Sequence, residues 1–437
     1  MTNIQSKLMG DLPAFAADPI GFVEARTIGV RRPVPVRFGP RRSMLVGHTA
    51  AIKQILVDDR DLFEKGAEQG RMRPLMGDGM ITANGPKWHA AREATKFGFS
   101  AAGLQDGLQL AMRCLNQELS DLASHIGEVI PVHEIMGRLS MRMVTSSLFH
   151  ANLDAPTVST LCAAGATAHR RLSEMMCRLI DVDGFLPTRK SLEYKRAIKV
   201  LEAVATDLSQ TPGGILCSLA PVVAKHGPCV LRDQIITMLV AGFDTTATAA
   251  CWVAYTLATR PDLVAWLRPE ADAVVKRDWG LDVASLREMP RARAFVQEVL
   301  RVYPSGWWLA RVAHSDMVLD GVSIKKGTSL LVFPWILHRQ PDLWPEPLVI
   351  DPMRFFEKRP PEKFAYLPFG AGPRSCIGQH LAMAELTAIT ATLVSAFDLE
   401  PLSGPMHRLK PIGGVTLGPP PGMIIRLHMR PQLRKVA

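Results

Sequence analysis

The run from Ile235 to Ala258 constrains the fold more than any other part of the chain: it is predominantly apolar and unbroken by proline, and Asp244, Thr245 and Thr246 sit near its middle. Its length suffices to span a bilayer, which takes about 20 apolar residues. An ionisable side chain halfway along would be costly in lipid, so the segment is expected to be a buried helix inside a large protein core. Asp244 then needs a functional reason for its place. The 437 residues are 47% hydrophobic, enough to build such a core. The opening stretch from Met1 to Arg32 is broken by Pro13, Pro19, Glu24 and Arg26 and lacks a signal-peptide pattern. A cytoplasmic protein without a membrane anchor is expected.

Cysteine usage and charge narrow the classes further. Seven cysteines (114, 162, 177, 217, 229, 251 and 376) are odd in number and contain no C-x2-C pair, which argues against structural zinc and against a disulfide framework. The formal charge of +10 is spread along the chain without an interleaved basic and aromatic pattern, so nucleic acid is not the expected partner. A basic surface either solubilises the protein or steers an acidic protein towards it.

No repeat or long linker divides the sequence, and residues 1–437 are expected to form a single domain, mainly α with small β-sheets. Short apolar runs between Val34 and Val46 predict early strands. Leu104, Leu108, Met112, Leu115, Leu119, Leu122 and Ile126 recur at spacings of three and four, which predicts an amphipathic helix. Helical patterns continue to about Tyr303. Beyond Pro304 the texture changes, and Val318 to Val332, with turn signals at Asp320-Gly321 and Lys325 to Gly327, predicts short antiparallel strands. A final strand is expected around Met423 to Leu427.

The densest punctuation is Phe369-Gly370-Ala371-Gly372-Pro373-Arg374-Ser375-Cys376-Ile377-Gly378, followed by an Ala- and Leu-rich helix. Three glycines and a proline suit neither a helix nor a strand interior, so they shape a loop that approaches something closely. Cys376 stands where the loop enters the helix, and the positive end of a helix is expected to lower its thiol pKa. Such a thiolate is a metal ligand or a nucleophile. A nucleophile would need a nearby base in a recognisable arrangement, and His380, four residues on, offers none. The bland alternative is a turn with an incidental cysteine.

These residues resemble the haem-binding loop of the cytochrome P450 family, F-x-x-G-x-R-x-C-x-G, through Phe369, Gly372, Arg374, Cys376 and Gly378. The resemblance implies that Cys376 is the thiolate ligand of haem b, that Arg374 holds a haem propionate, and that Phe369 covers the thiolate side of the ring. Three further motifs match in chain order. Ala241-Gly242-Phe243-Asp244-Thr245-Thr246 puts small residues and an acid and alcohol pair on the apolar helix, and Asp244 and Thr245 would relay protons in a dry cavity. Glu298 and Arg301 form the family's E-x-x-R pair, to be joined by Arg354; Met353 stands where many relatives have glutamate. Trp88 and Arg92, one helical turn apart, would reach the same propionate, with Arg311 and, as a lesser candidate, His338.

The implied activity is that of a monooxygenase, inserting one atom of O2 into a hydrophobic small molecule such as a fatty acid or terpenoid. Met80, Ile81, Trp307 and Trp308 are candidate pocket residues, although the tryptophans could equally be core. The chain runs only 61 residues past Cys376, leaving no room for a fused reductase, so electrons are expected from a ferredoxin or flavodoxin with its NAD(P)H reductase. A peroxide-using or isomerising enzyme of the same fold, or a haem sensor without turnover, are the rival readings.

Overall fold

Among the described residues two short helices, Leu12–Ala17 and Pro19–Thr27, precede the first strands, longer helices fill the middle, and strands come last. The structure is a computed structural model that describes residues 9–176, 187–211, 213–275, 281–358, 360–404, 409–420 and 422–430. The expected early strands are β1 (Val34–Phe38) and β2 (Arg41–Val46), paired antiparallel across Gly39 and Pro40. A short strand, β3 (Phe63–Glu64), follows. Among the longer helices are α1 (Gly85–Lys96), α2 (Gln105–Ala123), α3 (Val132–Phe149), α4 (Ala155–Met176), α5 (Arg189–Ser209), α6 (Cys229–Thr259), α7 (Pro290–Val302) and α8 (Gln379–Ala396). Pro86 and Pro290 sit in the first turns of α1 and α7, where a missing N–H costs least.

In α2 the predicted stripe is buried from Leu108 to Leu122. Ile126 departs from the prediction: it lies past the helix end and is exposed. The helix stops because Ser124 Oγ donates to the carbonyl of Asp121 and the His125 ring bonds the same oxygen, after which Gly127, at φ +85°, turns the chain. Side chains competing for a helical carbonyl end a helix that periodicity alone would extend.

The Ile235 to Ala258 run is the body of α6, which spans 31 residues and is thus about 46 Å long. Helix α6 is long and apolar enough to cross a membrane, yet 72% of its most apolar stretch is buried in protein. Two apolar clusters meet on it. One takes Ala249 to Ala258 against α2, α3, α7 and α8, and the other takes Ile235 to Ala247 against α4 and α5.

After α7 come β5 (Leu309–Ala313), β6 (Met317–Leu319), β7 (Val322–Ile324) and β8 (Ser329–Val332). Asp320 and Gly321, both at positive φ, turn β6 into β7 as the sequence predicts. The expectation fails at β8, which does not continue that meander. It runs parallel to β2, with Leu45 opposite Leu331, and antiparallel to β5, with Arg311 opposite Leu330. All four β8 residues are buried, so the strand needs partners on both sides, and a hairpin with β7 would leave one edge bare. The resulting sheet has the order β1-β2-β8-β5-β3. A second sheet sets β12 (Ile424–Met429) between β4 (Val129–Pro131) and β9 (Phe397–Pro401), while β10 (Ile412–Gly413) and β11 (Leu417–Gly418) form a small ribbon.

Candidate active site

The loop from Phe369 to Gly378 is fixed by its backbone. Gly370 and Gly372 have φ of +69° and +73°, a region that favours glycine. A Cβ on Gly372 would lie 2.0 Å from the carbonyl oxygen of Leu56, so no other residue fits. The Cys376 N–H donates to the carbonyl of Phe369 at 2.8 Å, and the Gly378 N–H points at the Cys376 sulfur. Burial raises the thiol pKa, while the Gly378 N–H and Arg92 pull the other way. The lowering expected from the helix terminus is therefore outweighed, because desolvation of a thiolate acts against it.

Cys376 is enclosed deeply by protein, yet its own surface remains accessible, so the sulfur opens onto an internal hollow. Helix α6 is joined to the cysteine loop and has an accessible stretch of its own. Ala241, Gly242, Asp244 and Thr245 are partly accessible while Phe243 and the run from Thr246 to Ala258 are buried. Ser305 Oγ donates to the Thr245 carbonyl at 2.8 Å, and its neighbour Gly306 abuts the carbonyl of Pro368, which ties α6 to the cysteine loop. Among the other described cysteines, Cys114 and Cys251 are buried, Cys162 is half-buried, and Cys217 and Cys229 are on the surface. Cys177 lies outside the described residues.

One side of the hollow gathers cations. Arg374 donates to the Ala83 carbonyl and to Asn84 Oδ1 and lies over the Trp88 ring, its guanidinium carbon 4.2 Å from the centroid. Arg311, buried on β5, donates to the carbonyl of Ala310. Burial pushes both guanidinium groups down to about 10, and each lies near enough to Lys65 to depress its ammonium. Lys65 is held well below its ordinary value by burial and then by Arg374, Arg311 and Arg92, while its Nζ donates to the carbonyls of Met80 and Ile81. Among the described residues no carboxylate forms an ion pair with Lys65, Arg92, Arg311 or Arg374. Buried like charges are costly unless an anion joins them, so the set fits a ligand carrying carboxylates, as the two propionates of haem would supply. Lys65 was not singled out from the sequence, where a lysine after a two-residue strand carries no signal.

On α6, Asp244 and Thr245 do not bond each other. Thr245 Oγ1 donates to the Ala241 carbonyl at 2.7 Å, and Asp244 Oδ2 accepts from Thr416 Oγ1 at 2.7 Å and faces His169 Nδ1 at 3.0 Å. Burial alone would raise the Asp244 carboxyl, but His169, Thr416 and His133 outweigh it and hold the group below its ordinary value. Ser140 Oγ takes the Phe243 carbonyl at 2.8 Å. Two carbonyls within one turn of α6, those of Phe243 and Thr245, thus receive hydroxyls from outside the helix.

The Glu298 and Arg301 pair is fully buried, as the resemblance implies. Arg301 uses all five of its donors: Nε and Nη2 on the Glu298 carboxylate at 2.8 Å each, and the rest on the carbonyls of His338, Pro347 and Val349. Arg354 joins at 3.5 Å from Glu298, and the Asp351 N–H donates to the same carboxylate. The Met353 N–H donates to Asp351 Oδ1 at 3.0 Å, a bond that any residue at this position could make. His338 corrects an expectation. Its Nδ1 bonds the Arg301 carbonyl at 3.0 Å and its Nε2 accepts from the Leu367 N–H at 2.8 Å, so both ring nitrogens serve the scaffold and neither is available to a propionate.

Trp307 and Trp308 border a narrow apolar cleft of about 60 Å³ with Phe15, Phe38, Phe333 and the α4 residue Met176, and Arg41 and Arg71 stand at its polar side. Trp307 is itself a core residue, 1% exposed, and both indoles donate to the Gly414 carbonyl. Met80 and Ile81 do not line this cleft; they pack in the apolar cluster beside Lys65.

The sequence profile of the Cytochrome P450 family matches residues 33–211 and 228–426. Cyclooctatin synthase of Streptomyces melanosporofaciens is 27% identical over 415 residues, covering 88% of this chain and 87% of its own. Cyclooctat-9-en-7-ol 5-monooxygenase from the same organism is 27% identical over 394 residues, 85% and 83% of the two chains. Pentalenene oxygenase of Streptomyces avermitilis is 26% identical over 414 residues, 91% and 90%. A profile that matches from β1 to β12, on a chain with an enclosed yet accessible thiol beside clustered cations, settles the class: this chain belongs to the cytochrome P450 family.

Proposed function

We propose that this chain hydroxylates a ring hydrocarbon of terpenoid type, with Cys376 as the iron ligand and Arg374, Arg311, Arg92 and Lys65 receiving the haem propionates. As a member of its family it is a haem b monooxygenase that uses O2, a hydrophobic substrate and an external redox partner. Haem, when bound, supplies the activation of O2 that no side chain here can perform. The chain's own residues do the rest. Trp88 holds Arg374 by stacking, Phe369 and the loop glycines set the sulfur's position, and Gly242 lets α6 pack close against Val144 of α3. Thr245 is the hydroxyl on the accessible stretch, and Asp244, a carboxylate held by His169 and Thr416, is the group behind it that would take up and relay protons. Among the described residues, Asp244 is the one carboxylate on that stretch of α6, and the water-poor surroundings make a positioned proton path matter.

The observation that carries the reading is the enclosed Cys376 sulfur opening onto a hollow flanked by cations that, among the described residues, pair with no carboxylate. The substrate class rests on the apolar, aromatic cleft and on the names of relatives that act on cyclooctatenol and pentalenene skeletons. Arg41 on the cleft's rim favours a second reading, a fatty acid held by its carboxylate. Titrating the ferric protein with terpenoid hydrocarbons and with fatty acids, and watching the Soret band for a spin-state shift, separates the two. Terpenoid hydrocarbons are expected to shift it and to give hydroxylated products with NAD(P)H, reductase and ferredoxin. A response to fatty acids alone, lost in Arg41→Ala, would replace the first reading by the second. We place the enzyme in the cytoplasm with a ferredoxin or flavodoxin as donor, docked by the exposed Lys87 and Lys96 of α1 beside the cysteine loop.

A further inference from the structure

His169 stands on α4, one helical turn after Gly165, where α4 approaches α6 so closely that a Cβ would meet the Phe243 ring at 2.9 Å. The imidazole spans three segments. Nδ1 faces Asp244 Oδ2 on α6 at 3.0 Å; Nε2 lies 3.3 Å from Ser173 Oγ on its own helix and 3.5 Å from Thr416 Oγ1. Ser173 in turn accepts from the N–H of Val415, next to the Gly414 carbonyl that receives both tryptophans. Helix α4 ends at Met176 on the apolar cleft, and the carbonyl of Met175 receives Arg71. A single side chain therefore joins the helix that roofs the cleft, the acid on α6 and the segment that fixes the cleft's aromatic wall.

We propose that His169 is a positioning residue, a pH-responsive clasp whose charged form closes α4 onto α6 and keeps Asp244 engaged away from Thr245. Opening the clasp frees both the cleft roof and the Asp244 carboxylate in one step. The part that concerns proton supply rests on the monooxygenase reading of Asp244; the closure of α4 does not. The titratable groups coupled to the pair are His133 on α3 and Cys251 on α6, and Cys251 is held far above its ordinary range by burial, so it stays neutral.

The sign follows from the ion pair. Burial pulls the imidazole down, but Asp244 outweighs it and leaves His169 above its ordinary value when α4 is closed. With α4 lifted, the ring returns to an ordinary histidine. The clasp is thus complete below the ordinary histidine pKa, about 6.5, and is lost as pH rises through the raised value of the closed state.

The test is hydrogen exchange of α4 in the haem-loaded protein, expressed as protection factors so that the intrinsic pH dependence drops out. Wild type is expected to lose about fivefold in α4 protection between about pH 6 and about pH 9, the coupling of a half-buried pair. His169→Gln should be low and flat, and His169→Lys, which keeps a cation throughout, should be high and flat. A wild type without the pH step overturns the clasp even if neither variant folds, and so does a step that persists in His169→Gln. Hydroxylation yield per NAD(P)H in the same proteins reads the second half: the Gln and wild-type pH profiles should converge at high pH. An exchange step present in a protein that hydroxylates no terpenoid would sink the substrate reading and leave the clasp standing.

Discussion

Gly372 and Arg374, two residues apart, contribute to the same loop by different physics. Gly372→Ala places a methyl group 2.0 Å from the Leu56 carbonyl at a φ of +73°, and overpacking and backbone strain each cost about 1–3 kcal/mol. The variant should melt earlier and carry substoichiometric haem, measured as the ratio of haem to protein absorbance. Arg374→Ala removes a charge-assisted contact to a propionate, about 1.5–3 kcal/mol, so haem transfer to apomyoglobin should run about 10- to 100-fold faster. A variant that releases haem at the wild-type rate would move the propionates elsewhere. At this scale the sequence was legible wherever the chemistry is contiguous. Cys376, Arg374 and the glycines announce themselves within ten residues. Lys65, His169 and Thr416 do not, because each acquires meaning only from partners far away in the chain: Lys65 from Arg374 and Arg311, His169 from Asp244 and Thr416. His338 was misassigned for the same reason, since a histidine's two nitrogens cannot be allotted before the carbonyl of Arg301 and the N–H of Leu367 are in place.

Among elements, α7 and the segment from Pro345 to Arg354 form one unit through Arg301. Its fork has no donor to spare, so Glu298→Ala leaves a buried guanidinium uncompensated and should cost about 3–5 kcal/mol, read by chemical denaturation and accompanied by loss of haem incorporation. Retention of full haem content by that variant would reduce the pair to an ornament. Element existence was readable from periodicity and punctuation: α2, α6, the β1 and β2 hairpin, and the Asp320-Gly321 turn all sit where the pattern puts them. Pairing was not. The partner of β8 is β2, nearly three hundred residues earlier, and local sequence carries no information about an edge that must be covered by so distant a strand. The end of α2 was overrun because Ser124 and His125 cap by side chain, a competition that hydrophobic spacing does not register.

For the molecule as a whole, a formal charge of +10 and exposed lysines on α1 suit an acidic electron donor. Turnover with a ferredoxin should fall as ionic strength rises, because the Debye length shrinks from about 10 Å at 0.1 M to about 3 Å at 1 M salt. Charge reversal by Lys87→Glu with Lys96→Glu should slow electron delivery while leaving substrate-induced spin shifts intact. Salt-insensitive turnover would contradict that docking mode. The catalytic reading depends on the sulfur of Cys376 meeting iron. The most direct measurement is the absorption spectrum of the dithionite-reduced protein with and without carbon monoxide, in wild type and in Cys376→Ala. A red-shifted Soret band of the thiolate-ligated kind, present in wild type and lost in the variant, is the predicted result. A wild type that binds no haem, or a Cys376→Ala spectrum that matches it, would contradict the account at its centre.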